Sequence, residues 1–147
     1  MATKVLFIYP ALPYDNPVFE HEIPIHLIHL ANFLMDRVIP KPVIEVLDLD
    51  WERYLHAGFN PFDIEHVERV VKDEIDRVFT SGRDDRLFVL VSCFFTYQYL
   101  STKTLLQAIK NLRDNNSVAI TKVILGGYHP TILPADFNGL GVDCLIR

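Results

Sequence analysis

Val123-Ile124-Leu125-Gly126-Gly127-Tyr128-His129-Pro130-Thr131-Ile132-Leu133-Pro134 is an apolar strand that runs into two glycines, a polar turn and the start of a helix. An α/β protein builds a loop at the carboxyl edge of its sheet in that order. The paired glycines permit positive φ and strip the loop of side chains that would hold a bulky ligand off the backbone. The same pair also suits a tight turn that needs glycine for geometry alone. The choice between these readings depends on what the rest of the chain places beside the loop.

Working outward, strand-like and helix-like segments alternate. Residues 87–91 form the most apolar run, and residues 4–9, 42–49 and 143–146 also read as strands. A helical pattern covers residues 24–37. Another covers 62–79, where Val67, Val70, Val71, Ile75, Val78 and Phe79 recur at helical spacing. Leu105, Ala108, Ile109 and Leu112 mark a third helix with Ser101 as its expected cap, and residues 81–85 read as a turn.

This alternation predicts an α/β fold: an open, mostly parallel five-stranded sheet with helices on both faces. Near-continuous apolar strands agree with burial on both sides. Right-handed crossovers put the strand-to-helix loops, residues 10–23, 50–61, 92–100 and 126–130, on one edge. In a flavodoxin-like order the loops after strands one, three and four converge there, where ligands of open α/β sheets bind. Residues 1–147 read as one domain. The chain stops after the fifth strand, without the helix that would cover that end of the sheet, so it is expected to be an N-terminal part of a longer protein.

Half of the residues are hydrophobic, 22% are charged and the net charge is −5, the profile of a globular domain. Without a Lys/Arg run, nucleic acid and anionic membrane are not expected partners. The opening apolar strand is too short for a signal peptide or a membrane span, so a cytoplasmic location is expected. Both cysteines, Cys93 and Cys144, sit in apolar strand context and read as buried free thiols. No cysteine cluster has metal-site spacing.

Several loops are excluded. There is no G-x-G-x-x-G after the first strand and no G-x-x-x-x-G-K-S/T. His21-Glu22-Ile23-Pro24-Ile25-His26 has one residue too many for H-E-x-x-H, and Pro24 would break the helix that motif needs. His26 and His29 share a helix face but lack a third ligand, and read as edge positions. His129 lies in the glycine loop, where a ligand role and a structural one both fit. Ser92 and Thr96 follow the most apolar strand and offer hydroxyls to a ligand, whereas Phe94 and Phe95 read as a docking surface. Asp48 and Asp50 read as strand-end or capping acids.

In order, these segments resemble the N-terminal cobalamin-binding-type domain of radical SAM enzymes. Lys4-Val5-Leu6-Phe7-Ile8-Tyr9-Pro10 is similar to its opening strand. Pro24-Ile25-His26-Leu27-Ile28-His29-Leu30-Ala31-Asn32-Phe33-Leu34 is similar to its P-x-G-L-x-x-L-A-x-x-L helix. Glu45-Val46-Leu47-Asp48-Leu49-Asp50 and Val91-Ser92 are like its second strand and third-strand exit. The stretch from Gly126 to Pro134 resembles its G-G-x-H-x-x-x-x-P loop, and Val142-Asp143-Cys144-Leu145-Ile146-Arg147 its last strand. His26 stands where the family favours Gly, at the start of the first helix, where a bulkier side chain would crowd the ligand edge. There is no D-x-H-x-x-G after the first strand, which implies cobalamin without a protein histidine below the metal.

The resemblance implies a cobalamin-binding module holding the cofactor's nucleotide tail at the carboxyl edge of the sheet. The implied contacts are Pro10, Ser92, Thr96, Gly126, Gly127, Tyr128 and His129, with residues 10–23 facing the corrin. It further implies a radical SAM domain, in cis or in trans, that carries S-adenosylmethionine and an iron–sulfur cluster, most often in a methyltransferase. The chain itself lacks C-x-x-x-C-x-x-C and is not expected to be catalytic alone. Two other readings stay open: a degenerate α/β domain that no longer binds cobalamin and serves docking or regulation, and a flavodoxin-like domain for another nucleotide.

Overall fold

A computed structural model describes residues 2–12, 24–79 and 85–146. The loop residues 13–23, with the His21-Glu22 pair, and residues 81–84 of the expected turn lie outside the described residues.

Five strands, β1 (Thr3–Tyr9), β2 (Val43–Asp48), β3 (Arg86–Ser92), β4 (Ile120–Gly126) and β5 (Cys144–Ile146), form one all-parallel sheet in the order β2-β1-β3-β4-β5. β1 lies second from one edge, and its last six residues are buried because the sheet is covered on both sides of it. Its register sets Tyr9 beside Asp48 and Ile8 beside Val91. The strand order reverses at β1, since the chain leaves it first to one neighbour and later resumes on the other.

Helix α1 (Ile25–Arg37) covers one face. Its Leu27 packs with Val5, Phe7 and Tyr9, flanked by Leu34, Ile44 and Leu90. The opposite face carries the larger core under α3 (Ile64–Val78) and α4 (Tyr99–Asp114). In α3, Val67, Val71 and Ile75 turn inward at helical spacing while Glu65, Asp73 and Asp76 face water, and Asp63 caps it by accepting from the His66 N–H. On the α1 side of β3, β4 and β5, Leu90, Ile124 and Ile146 stay partly exposed.

Three expectations need correction. Residues 50–61, read as loop, open with a helix, α2 (Leu49–Leu55), too short to show a period. Asp48 nucleates it by accepting from the N–H groups of Asp50 and Trp51, the capping role expected of that acid. Ser101 does not cap α4, which begins two residues earlier; its hydroxyl donates to the Ala11 carbonyl at 2.6 Å and shares the Gln98 carbonyl at 3.0 Å. Cys144 is exposed, because β5 is an edge strand of three residues with its outer face uncovered, whereas Cys93 is buried as expected. A last short helix, α5 (Tyr128–Ile132), follows the glycines as the sequence predicts. Among the described residues, no helix is long and apolar enough to cross a membrane.

Candidate functional site

On the α1 face of the sheet, β3, β4 and β5, with Phe7 of β1 and the first turns of α1, line a trough of about 190 Å³ that reaches the carboxyl ends of β3 and β4. Its walls are apolar, with Phe7, Leu27, Leu30, Leu90 and Ile124 among them, and none of its lining residues is acidic, Lys or Arg. At the carboxyl end it meets Ser92, the backbone of Gly126 and Gly127, and Phe94. Ser92 is 6% exposed, and its Oγ lies 3.0 Å from His26 Nε2. The His26 ring stacks on Phe94 at 5.2 Å and meets Tyr9 edge-on at 5.8 Å. Burial against these rings holds the imidazole below its ordinary pKa of 6.5. An apolar slot with one hydroxyl and bare backbone suits a flat group with a polar edge.

The glycines divide the labour. Gly127 has φ +121°, and a Cβ there would sit 2.3 Å from the Cys93 carbonyl oxygen. That glycine is demanded by the close approach of the loops after β3 and β4 as well as by its backbone angle. The same contact places the Cys93 N–H on the Gly126 carbonyl at 2.9 Å. Gly126 is different: a Cβ there would make only ordinary contact, 3.7 Å from Ile146 Cβ. Both glycines line the trough; turn geometry alone accounts for the second, whereas no close contact calls for the first.

The seven residues nominated from the sequence do not converge. Ser92, Gly126 and Gly127 line the trough. Tyr128 is 62% exposed at the sheet edge, and Thr96 is exposed at the start of a 3-10 turn, Thr96–Gln98. His129 does not line the trough. It is 3% exposed, stacked on Tyr99 and edge-on to Phe137, with Nε2 3.1 Å from Asp136 Oδ2. Pro10 is buried, and its carbonyl accepts from Gln98 Nε2 at 3.2 Å.

That last contact belongs to a network the sequence did not reveal. Three successive carbonyls after β1 are held: Pro10 by Gln98, Ala11 by Ser101, and Leu12 by Arg53 Nη1 at 3.1 Å. The Leu12 N–H donates to Asp50 Oδ1 at 3.2 Å, and Arg53 pairs with that same oxygen. Gln98, Ser101 and Asp50 are buried polar side chains whose groups are satisfied by this backbone. They fix the direction in which the chain leaves β1. His26, a bulky side chain where the family favours Gly at the ligand edge, and Phe94, which reads from the sequence as a docking residue, both line the mouth of the trough. Among the described residues, no three His, Cys, Asp or Glu side chains cluster to hold a metal ion.

No protein-family model, curated protein or solved structure matches the chain.

Proposed function

We propose that this chain is a cobalamin-binding module serving a radical SAM enzyme, in keeping with the family its segments resemble. One observation carries the reading: an apolar trough on the α1 face of β3, β4 and β5 opens at the carboxyl ends of β3 and β4 onto Ser92, Gly126 and Gly127, the edge at which open α/β sheets take ligands. At about 190 Å³ it suits a single flat ring system and falls short of a whole cofactor. The residues present fit that part of the group. The Ser92 hydroxyl and the Gly126 and Gly127 backbone would hold the base of the nucleotide tail, and Phe94 would cover its face. When bound, cobalamin supplies the carrier chemistry for the transferred group; this chain orients it and keeps water from the base. Two cysteines cannot furnish the three ligands of a radical SAM cluster, so that chemistry, with S-adenosylmethionine, would come from other residues. A methyl group is the cargo the resemblance implies, and an opening strand too short for a signal peptide favours the cytoplasm as the compartment.

A second reading, a docking or regulatory domain that has given up cobalamin, draws on His26, whose ring already fills the mouth of the trough. Titration with hydroxocobalamin, followed by absorbance and calorimetry, separates the two. Saturable binding that Gly126→Val weakens by about tenfold or more, with unchanged thermal stability, supports the first reading. Absence of binding at high micromolar ligand overturns it in favour of the second.

A further inference from the structure

We propose that His26 is an internal occupant of an azole-binding trough, holding the place that the nitrogen heterocycle of a ligand takes when the side chain swings out. This deepens the proposed function and rests on its reading of the trough as a ligand site. The imidazole has the contacts a bound azole would make. One face lies on Phe94, at 5.2 Å and 27° between planes, and Tyr9 meets it edge-on. A ring nitrogen shares a hydrogen bond with the Ser92 hydroxyl. Beside the ring, with the imidazole in place, about 190 Å³ of trough lined by Leu90, Ile124 and Ile146 among others stays open, and that space together with the ring's own would take a fused bicyclic azole.

His26 is also free to leave. It sits at the second position of α1, and the residue as a whole is exposed, so a rotamer change would uncover the slot without opening the core. A ligand that competes with a tethered ring binds more weakly by the fraction of time the slot stands open. His26 is thus a specificity-determining residue: it selects for a base that outmatches an imidazole on the same three partners.

The test compares the chain as it stands with His26→Ala, titrated with 5,6-dimethylbenzimidazole and with indene, a nitrogen-free ring of similar shape. His26→Ala is expected to bind the benzimidazole about tenfold or more tightly than the unsubstituted chain. Adding Ser92→Ala to that variant should weaken the benzimidazole several-fold and leave indene unchanged. Equal affinity of the two chains for the benzimidazole, no binding to either, or equal losses for both probes overturns the proposal. Hydroxocobalamin titrations of the same proteins keep the two readings apart. Benzimidazole capture by His26→Ala with no cobalamin bound by either chain sinks the cobalamin function and leaves the azole trough standing. Equal, saturable cobalamin binding by both chains upholds the function and sinks the role of His26.

Discussion

His26 Nε2 and Ser92 Oγ, 66 residues apart in the chain, lie within 3.0 Å of each other and tie the start of α1 to the exit of β3. No acidic, Lys or Arg side chain lines the trough they share, so nothing there compensates a charge on the imidazole, and burial lowers its pKa. A histidine lowered in the folded state leaves the unfolded chain with more bound protons once pH drops below 6.5. Folding stability contributed at this site is therefore complete above that pH and declines as pH falls through the folded value. NMR titration of the His26 ring should give a midpoint below 6.5, and one at or above that value would contradict the geometry.

Gly127→Ala should be far more damaging than Gly126→Ala. The new methyl group at 127 meets backbone at 2.3 Å in a conformation closed to L side chains, whereas at 126 it meets a side chain at 3.7 Å. A loss of about 2–4 kcal/mol is expected for Gly127→Ala and under about 1 kcal/mol for Gly126→Ala. Urea denaturation of the two variants measures both, and similar losses would remove the distinction between the glycines.

The strands and the three longer helices were legible because each carries its own period: continuous apolar runs in β1 and β3, helical spacing in α3 and α4. The glycine loop was legible as a place. Its residues' roles were not, because sequence does not say which side of a loop faces which layer. His129 turned to Tyr99 and Asp136 on the side of α4, while His26, legible as a bulky side chain near the ligand edge but not by its partner, turned to Ser92. The anchoring of residues 10–12 was invisible for a related reason. Gln98 and Ser101 look like ordinary polar residues at a helix start until the fold brings carbonyls from about 90 residues away onto them. A buried polar side chain announces itself only once its burial is known.

That anchoring predicts large effects from small changes. Asp50 is 2% exposed and accepts from both the Leu12 N–H and Arg53. Asp50→Ala leaves a mostly buried guanidinium and a backbone donor without that carboxylate, a loss of about 3 kcal/mol. Gln98→Leu keeps the volume but strands the Pro10 carbonyl and the Phe95 N–H that bonds its Oε1, at about 2 kcal/mol. Denaturation midpoints of both variants within experimental error of the unsubstituted chain would show that the network does not hold the loop.

The two thiols should differ sharply. Burial pushes the Cys93 thiol up to about 11, the Thr102 hydroxyl only partly opposing it, and the residue has no exposed surface. Cys144 stands exposed on β5. A colorimetric disulfide reagent at pH 8 should titrate one thiol quickly in the folded chain and a second only after denaturation, since the thiolate is the reactive form. Cys144→Ser should abolish the fast phase. Two fast thiols in the native protein would contradict the burial of Cys93.

Asp143 joins β5 to the rest of the sheet. Its Oδ2 accepts from the Val123 N–H and from Arg113 Nη1, each at 2.7 Å, while Arg113 Nη2 holds the Gly141 carbonyl at 2.9 Å. Burial acts to raise its pKa, and the Val123 N–H, Arg113 and Lys122 together outweigh that and bring it below 3.8. A carboxylate lowered on folding stabilises the native state fully above its unfolded value and loses that contribution as pH falls through the folded one. Asp143→Asn should then cost about 1 kcal/mol at pH 7, discounted for its partial exposure, and next to nothing once the native carboxyl is itself protonated. Stability measured against pH for the two chains should converge on the acid side. A constant gap at every pH would mean that Asp143 acts by shape and hydrogen bonding alone, with its charge contributing nothing to the hold on β5.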